Sequence, residues 1–311
     1  MHFQTSFGLL QTDQVNCYGQ DGRLIDCALS GQDGAFPKTN PVAPDQRFAV
    51  MDRVVRDALT GAVWSRDANP AEFPLTWSEA RSFVAQMRQD RLWGRDDWQL
   101  PPRRMLFSLL SHQQINPALA DGHPFENVFP GYYWTAETCH RLPDQAWYVH
   151  LGGGRVHRGM KQGSYMLWPV SLGDVGAGAA ADVRHRFRRD GECVRDRLTG
   201  LIWSRDAAPD PVPLDWQTAL VRVDRLNVRA MGGYHDWRMP AIRELESLVD
   251  LDCDSPALAG DHPFIHVREA YWSSTTSVYE PRYAWTLYTQ DGIVGVGFKP
   301  GADFYLWPVR G

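Results

Sequence analysis

Between Val54 and Ser65, two short apolar-rich runs, Val54-Val55-Arg56-Asp57 and Ala62-Val63-Trp64-Ser65, flank Ala58-Leu59-Thr60-Gly61. The pattern predicts a hairpin, with Gly61 supplying the positive φ that a tight turn needs. From Trp77 the period changes. Trp77, Ala80, Val84 and Met87 recur at helical spacing, and Thr76 with Glu79 forms a capping-box pair at the start. A shorter helix is expected after Pro101, carrying Leu106, Leu109 and Leu110. A long irregular region follows, and then strand-like runs: Tyr132-Tyr133-Trp134, Ala146-Trp147-Tyr148-Val149 and Leu167-Trp168-Pro169-Val170. Two helices packed on a small, mostly antiparallel sheet make an α+β fold.

The same succession occurs again. Residues 47–68 align without gaps to residues 186–207, with 13 of the 22 positions identical, including Val55-Arg56-Asp57, Leu59-Thr60-Gly61 and Trp64-Ser65-Arg66-Asp67-Ala68. The pairing continues through Trp77 and Trp216, Asp97-Trp98 and Asp236-Trp237, and His123-Pro124-Phe125 and His262-Pro263-Phe264, and ends at Trp168-Pro169-Val170 and Trp307-Pro308-Val309. The chain therefore reads as an amino-terminal extension over 1–46, a first domain over 47–171, a linker over 172–185 and a second domain over 186–311. The linker is rich in Gly and Ala, a composition that favours a connection over a packed element.

Composition narrows the function. The 311 residues carry a net charge of -5, which argues against a surface that tracks nucleic-acid phosphates. No apolar run approaches the roughly 18 residues that a membrane span needs. Met1-His2-Phe3-Gln4 has none of the features of a secretory signal, so the chain is read either as cytoplasmic or as a processed mature form. Of five cysteines, Cys17 and Cys27 flank a polar turn between two short strands. Two readings compete there: a disulfide across a hairpin, or two reduced thiols in a loop.

Arg186-Phe187 and Val194 to Trp203 resemble the opening strands of the Lcl C-terminal domain family. The likeness continues through Gly233-Tyr234-His235-Asp236-Trp237-Arg238-Met239-Pro240, Glu244-Leu245, Leu248-Val249-Asp250, Tyr271-Trp272-Ser273-Ser274-Thr275-Thr276 and Val309-Arg310. The first copy departs from it at Gln99-Leu100-Pro101-Pro102, at Ser111 and at Thr135-Ala136. The resemblance implies a C-type-lectin-like fold distantly related to formylglycine-generating enzymes. It also implies an exported, periplasmic or extracellular chain that binds a glycan or a protein partner, in some cases as an oligomer. The segment around Cys17 and Cys27 resembles the leader that precedes such domains in exported proteins, which favours an exported chain.

Candidate chemistry is sparse. The repeated tryptophans sit where burial is expected, whereas Trp93, opposite Gly232 of the second copy, is the one expected to be exposed and to contact ligand. Asp97 and Asp236 read as turn residues that accept main-chain N–H bonds. Asp250, Asp252, Asp254 and Asp261 have a spacing similar to that of a calcium loop, although Ser255 stands where such a loop uses Gly. Asp252 and Asp254 are also the polar-ligand candidates. The histidines lack zinc-site spacing. Cys139 and Cys253 fall in different copies, and Cys193 reads as a buried apolar residue. The expectation is a non-enzymatic binding protein with its specificity in the loops 112–131 and 251–270. A structural subunit of an envelope assembly and an enzyme on a formylglycine-generating-like scaffold stand as alternatives.

Overall fold

The computed structural model describes residues 9–38, 43–173 and 186–311. The 172–185 linker lies almost wholly outside the described residues. The described residues form two compact units: 43–173 make one, and 186–311 together with the amino-terminal segment 9–38 make the other.

Each unit is an α+β domain with the same plan. In the first, Phe48–Met51, Val54–Asp57, Val63–Ser65 and Val170–Ser171 form an antiparallel sheet in that order. A second antiparallel group joins Tyr132–Thr138 to Gln145–His150 and that strand to Val156–Met160. In the second unit the corresponding strands are Phe187–Asp190, Cys193–Asp196, Ile202–Ser204 and Val309–Arg310, and then Ala270–Thr276, Tyr283–Tyr288 and Ile293–Phe298. The helix Trp77–Gln89 begins with the expected capping box, in which the Thr76 hydroxyl accepts from Glu79 N–H while the Glu79 carboxylate accepts from Thr76 N–H. Its counterpart starts at the Asp215 cap and breaks at Val223 into Trp216–Arg222 and Asp224–Val228. The shorter helices are Arg103–Ser108 and Ile242–Ser247.

The opening hairpins explain why Arg, Asp and Leu-Thr-Gly recur together. Asp57 is fully buried and accepts from Arg47 Nε at 3.0 Å, Arg47 Nη2 at 2.8 Å, Leu59 N–H at 3.0 Å and the Thr60 hydroxyl at 2.9 Å. Gly61 then turns the chain at φ +75°. Asp196 repeats this arrangement with Arg186, Leu198 and Thr199, and Gly200 has φ +79°. A buried carboxylate is stable only when its charge and lone pairs are met, and here four donors meet them.

Tryptophans tie the layers together. Trp168 Nε1 donates to the Ser65 carbonyl at 3.0 Å, and Trp307 Nε1 donates to the Ser204 carbonyl at 3.1 Å. Trp134 and Trp272 reach back to Leu75 and Leu214, each at 2.8 Å. The His-Pro-Phe turns set Phe125 edge-on to Trp168 and Phe264 edge-on to Trp307, both 4.8 Å between ring centres. Trp64, Trp98, Trp203, Trp216 and Trp237 are buried as expected, but Trp77 is only half-buried.

Candidate functional site

The long loops diverge in sequence yet follow the same backbone path. Asn116 and Ala118 N–H donate to the carbonyls of Gly152 and Leu151, and Ser255 and Ala257 N–H donate to those of Gln290 and Thr289. Asn116–Pro117 and Ser255–Pro256 are both cis. Main-chain bonds and the buried anchors Leu119, Phe125, Leu258 and Phe264 hold both loops, which leaves the other side chains free to differ.

The acidic set is spread along this loop. Asp250 is half-buried, and its Oδ1 accepts from Asp252 N–H at 3.0 Å. In the first copy the Ser111 hydroxyl does the same work, accepting from Gln113 and Gln114 N–H at 3.0 Å each. Asp250 thus closes a local turn. Asp252 and Asp261 are exposed and Asp254 is half-buried. Among the described residues, no three His, Cys, Asp or Glu side chains come together as a metal-holding group.

What the loop does build is a hollow of about 730 Å³ in the second domain. Ser255 and Arg268 line it from the loop, Tyr288 and Gln290 from the strand end beyond, and Asp303 and Tyr305 from the closing segment. The Arg268 guanidinium lies 5.3 Å from the Tyr305 ring centre, and its Nε is buried without a hydrogen-bond partner. Asp303 and Gln290 are exposed at the rim, whereas Tyr288 and Tyr305 are half-buried. The floor includes Ala270, where the first domain has Tyr132. The Tyr132 ring packs 4.7 Å from His150 and 5.4 Å from Tyr165, the equivalents of Tyr288 and Phe304. Aromatic bulk therefore takes up the corresponding ground in the first domain. Sequence reading picked the loop but not this hollow, because half of its lining comes from residues 288–305, distant in the chain from the loop; the Ala270 and Tyr132 mismatch was the available signal.

Trp93 departs from expectation. It is half-buried, edge-on to Trp98 at 5.4 Å, and packs on the first core at φ +54°. At the matching Gly232, a Cβ would lie 2.3 Å from Cys193 Sγ, so that position accepts no side chain. Val54 in place of Cys193 belongs to the core cluster on which Trp93 packs. Asp97 does not close a local turn: it accepts from Gly173 N–H and the Ser171 hydroxyl, each at 2.6 Å and more than 70 residues away, and so fastens the end of the closing strand. Asp236 instead pairs with Arg310 at 2.6 and 3.0 Å.

Cys17 and Cys27 form a disulfide across the hairpin Cys17–Tyr18 and Leu24–Ile25. Cys139 and Cys193 are buried thiols and Cys253 is half-buried. Burial pushes the Cys193 and Cys253 thiols up, away from the reactive thiolate. Among the described residues, no helix is long and apolar enough to cross a membrane.

The amino-terminal segment completes the second domain. Asp33 is buried and accepts from the Thr12 hydroxyl at 2.6 Å, the Thr275 hydroxyl at 2.7 Å and Lys38 Nζ at 2.6 Å. The Gln14 amide pairs with both main-chain groups of Thr276, at 2.8 Å each way. Lys299 lies 4.1 Å from the Trp216 ring centre and donates to the Tyr18 carbonyl at 3.1 Å. No signal in the sequence paired these residues, since the segment precedes the other domain in the chain.

The chain has no match among curated proteins. The family model of the Lcl C-terminal domain matches it twice, over residues 53–171 and 192–310, the two spans that carry the hairpin, helices and closing strands described above. The chain therefore belongs to the Lcl C-terminal domain family and carries two copies of that domain.

Proposed function

We propose that this chain is a non-enzymatic binding protein that works outside the cytoplasm, and that its second domain takes a polar, hydroxyl-rich ligand such as a glycan. The observation that carries this reading is the 730 Å³ hollow. It offers the half-buried faces of Tyr288 and Tyr305 for stacking on a sugar ring, and Asp303, Gln290 and the Arg268 guanidinium for its hydroxyls. A few placed polar groups among aromatic faces suit a small-molecule pocket. The Cys17–Cys27 bridge supports an oxidising compartment, periplasmic or extracellular. The resemblance to C-type-lectin-like modules, whose loops carry specificity, supports the same site.

The test is a glycan microarray probed with the intact chain, followed by titration of any bound glycan. Tyr305→Ala and Asp303→Ala should each weaken binding about tenfold or more. Ala270→Tyr, which installs the first domain's residue, should abolish it while leaving the fold intact. Glycan binding unaffected by all three substitutions would place the site elsewhere.

A further inference from the structure

In the second domain, residues 31–36 fill a groove beside the first helix. Gly31 packs over Leu220, the Arg238 guanidinium lies 5.3 Å from the Phe36 ring centre, and Asp33 bonds Thr275. Along the same edge, Gln14 supplies the main-chain partner that the end of the strand Ala270–Thr276 otherwise lacks.

The repeat carries this seat onto the first domain. Leu220 corresponds to Arg81, Ser274 to Ala136, Thr275 to Glu137 and Thr276 to Thr138. There, among the described residues, the seat is an open groove of about 460 Å³ whose lining includes Ser78, Arg81, Ser82, Arg88, Gln99 and Ala136. Ser274 and Leu220 are buried under the segment, whereas Ala136, Arg81 and Ser82 are exposed. Thr138 makes no bond of the Gln14 kind among the described residues. Trp77 keeps its lysine, with Lys161 Nζ at 4.6 Å from its ring centre, but among the described residues no hairpin seals the pair as it seals Trp216 and Lys299.

The chemistry of the groove selects its occupant. A second copy of residues 9–38 would bring Asp33 against Glu137, whose carboxylate is fixed by accepting from Arg103 N–H at 3.0 and 2.9 Å. Glu137 replaces the Thr275 hydroxyl that donates to Asp33, so this chain's own segment is the wrong sequence for the first domain. Arg81 and Arg88 instead present positive charge in the groove beside Ala136 of the strand, and Lys161 adds a further cation on the Trp77 ring. We infer that the first domain's groove docks an extended, acidic segment of a partner protein. The segment adds its main chain at Thr138, as Gln14 adds its amide at Thr276, and sets carboxylates against Arg81 and Arg88. This surface is separate from the hollow of the second domain, and Ala270→Tyr leaves it unchanged.

The test is selection of short random linear peptides displayed on phage against the intact chain, with the Ser82→Trp variant as soluble competitor to remove binders of every other face. Arg81 and Ser82 are exposed on the helix, and unchanged melting of both variants checks that they fold. Enrichment of Asp- and Glu-bearing peptides is expected. Their synthetic forms should lose about tenfold or more in affinity for Arg81→Glu and for Ser82→Trp, and peptides with Lys in place of the acid should regain affinity for Arg81→Glu. Three results overturn the inference: no enrichment over the competitor, enriched peptides that bind Arg81→Glu unchanged, or dextran sulfate binding that depends on Arg81 while no peptide does. The last would assign the face to a polyanionic glycan.

Discussion

Asp57 and Asp196 show how much a single buried carboxylate decides. Each is fully buried, and Arg186, which holds Asp196, is itself 5% exposed. Removing one partner leaves the other charge stranded, so Asp196→Ala should destabilise the second domain by about 3–5 kcal/mol in denaturant titration. A loss under about 1 kcal/mol would mean that water reaches the pair. The recurrence of Arg, Asp and Leu-Thr-Gly at fixed spacing was visible in the sequence and predicted the hairpin and its turn but not the buried ion pair. Lys299 was not legible. It is fully buried, and burial pushes its ammonium down to about 7 from the ordinary value of about 10.5. Between those pH values the unfolded chain binds the extra proton, so stability should rise as pH climbs from about 7 to about 10. Lys299→Met should flatten that rise; an equal slope in the variant would trace it to another group.

At the scale of elements, the hairpins, capped helices and tryptophan positions follow from local pattern, because alternation, caps and turn glycines act over a few residues. The loops do not. Residues 112–131 and 251–270 differ in side chains but share a path, since main-chain bonds and a few apolar anchors set it and sequence divergence says little about either. The acidic spacing marks a local turn: Asp250 turns the loop as Ser111 does, and among the described residues no three acidic side chains converge. Calcium should therefore leave thermal melting unmoved, and a rise that Asp252→Ala abolishes would contradict this account. The Cys17–Cys27 bridge closes a short loop and should contribute about 3 kcal/mol by chain entropy. Reduction should lower the melting of the second domain and leave the first alone. Equal loss in both would contradict the assignment of the hairpin.

The whole molecule is two copies of one domain put to different use. The first domain fills its upper face with Tyr132, Tyr148 and Tyr165 and leaves the groove at Arg81 open. The second opens a hollow over Ala270 and covers its own groove with residues 9–38. Duplication was plain in the sequence, but this reversal was not, because it depends on where a segment packs rather than on what precedes it. Removal of residues 1–38 should raise hydrogen exchange over 216–226 and 270–277 and leave 77–89 and 132–138 unchanged. Equal exchange in both regions would mean that the segment only rests on the surface.

The central claim is that the second domain's hollow is the ligand site. A crystal structure of the intact chain bound to a glycan selected on the array tests it most directly. The expected result is a sugar ring against Tyr305 or Tyr288, with hydroxyls on Asp303 and Arg268. A glycan bound instead on the tyrosine face of the first domain, or along the Arg81 groove, would contradict it.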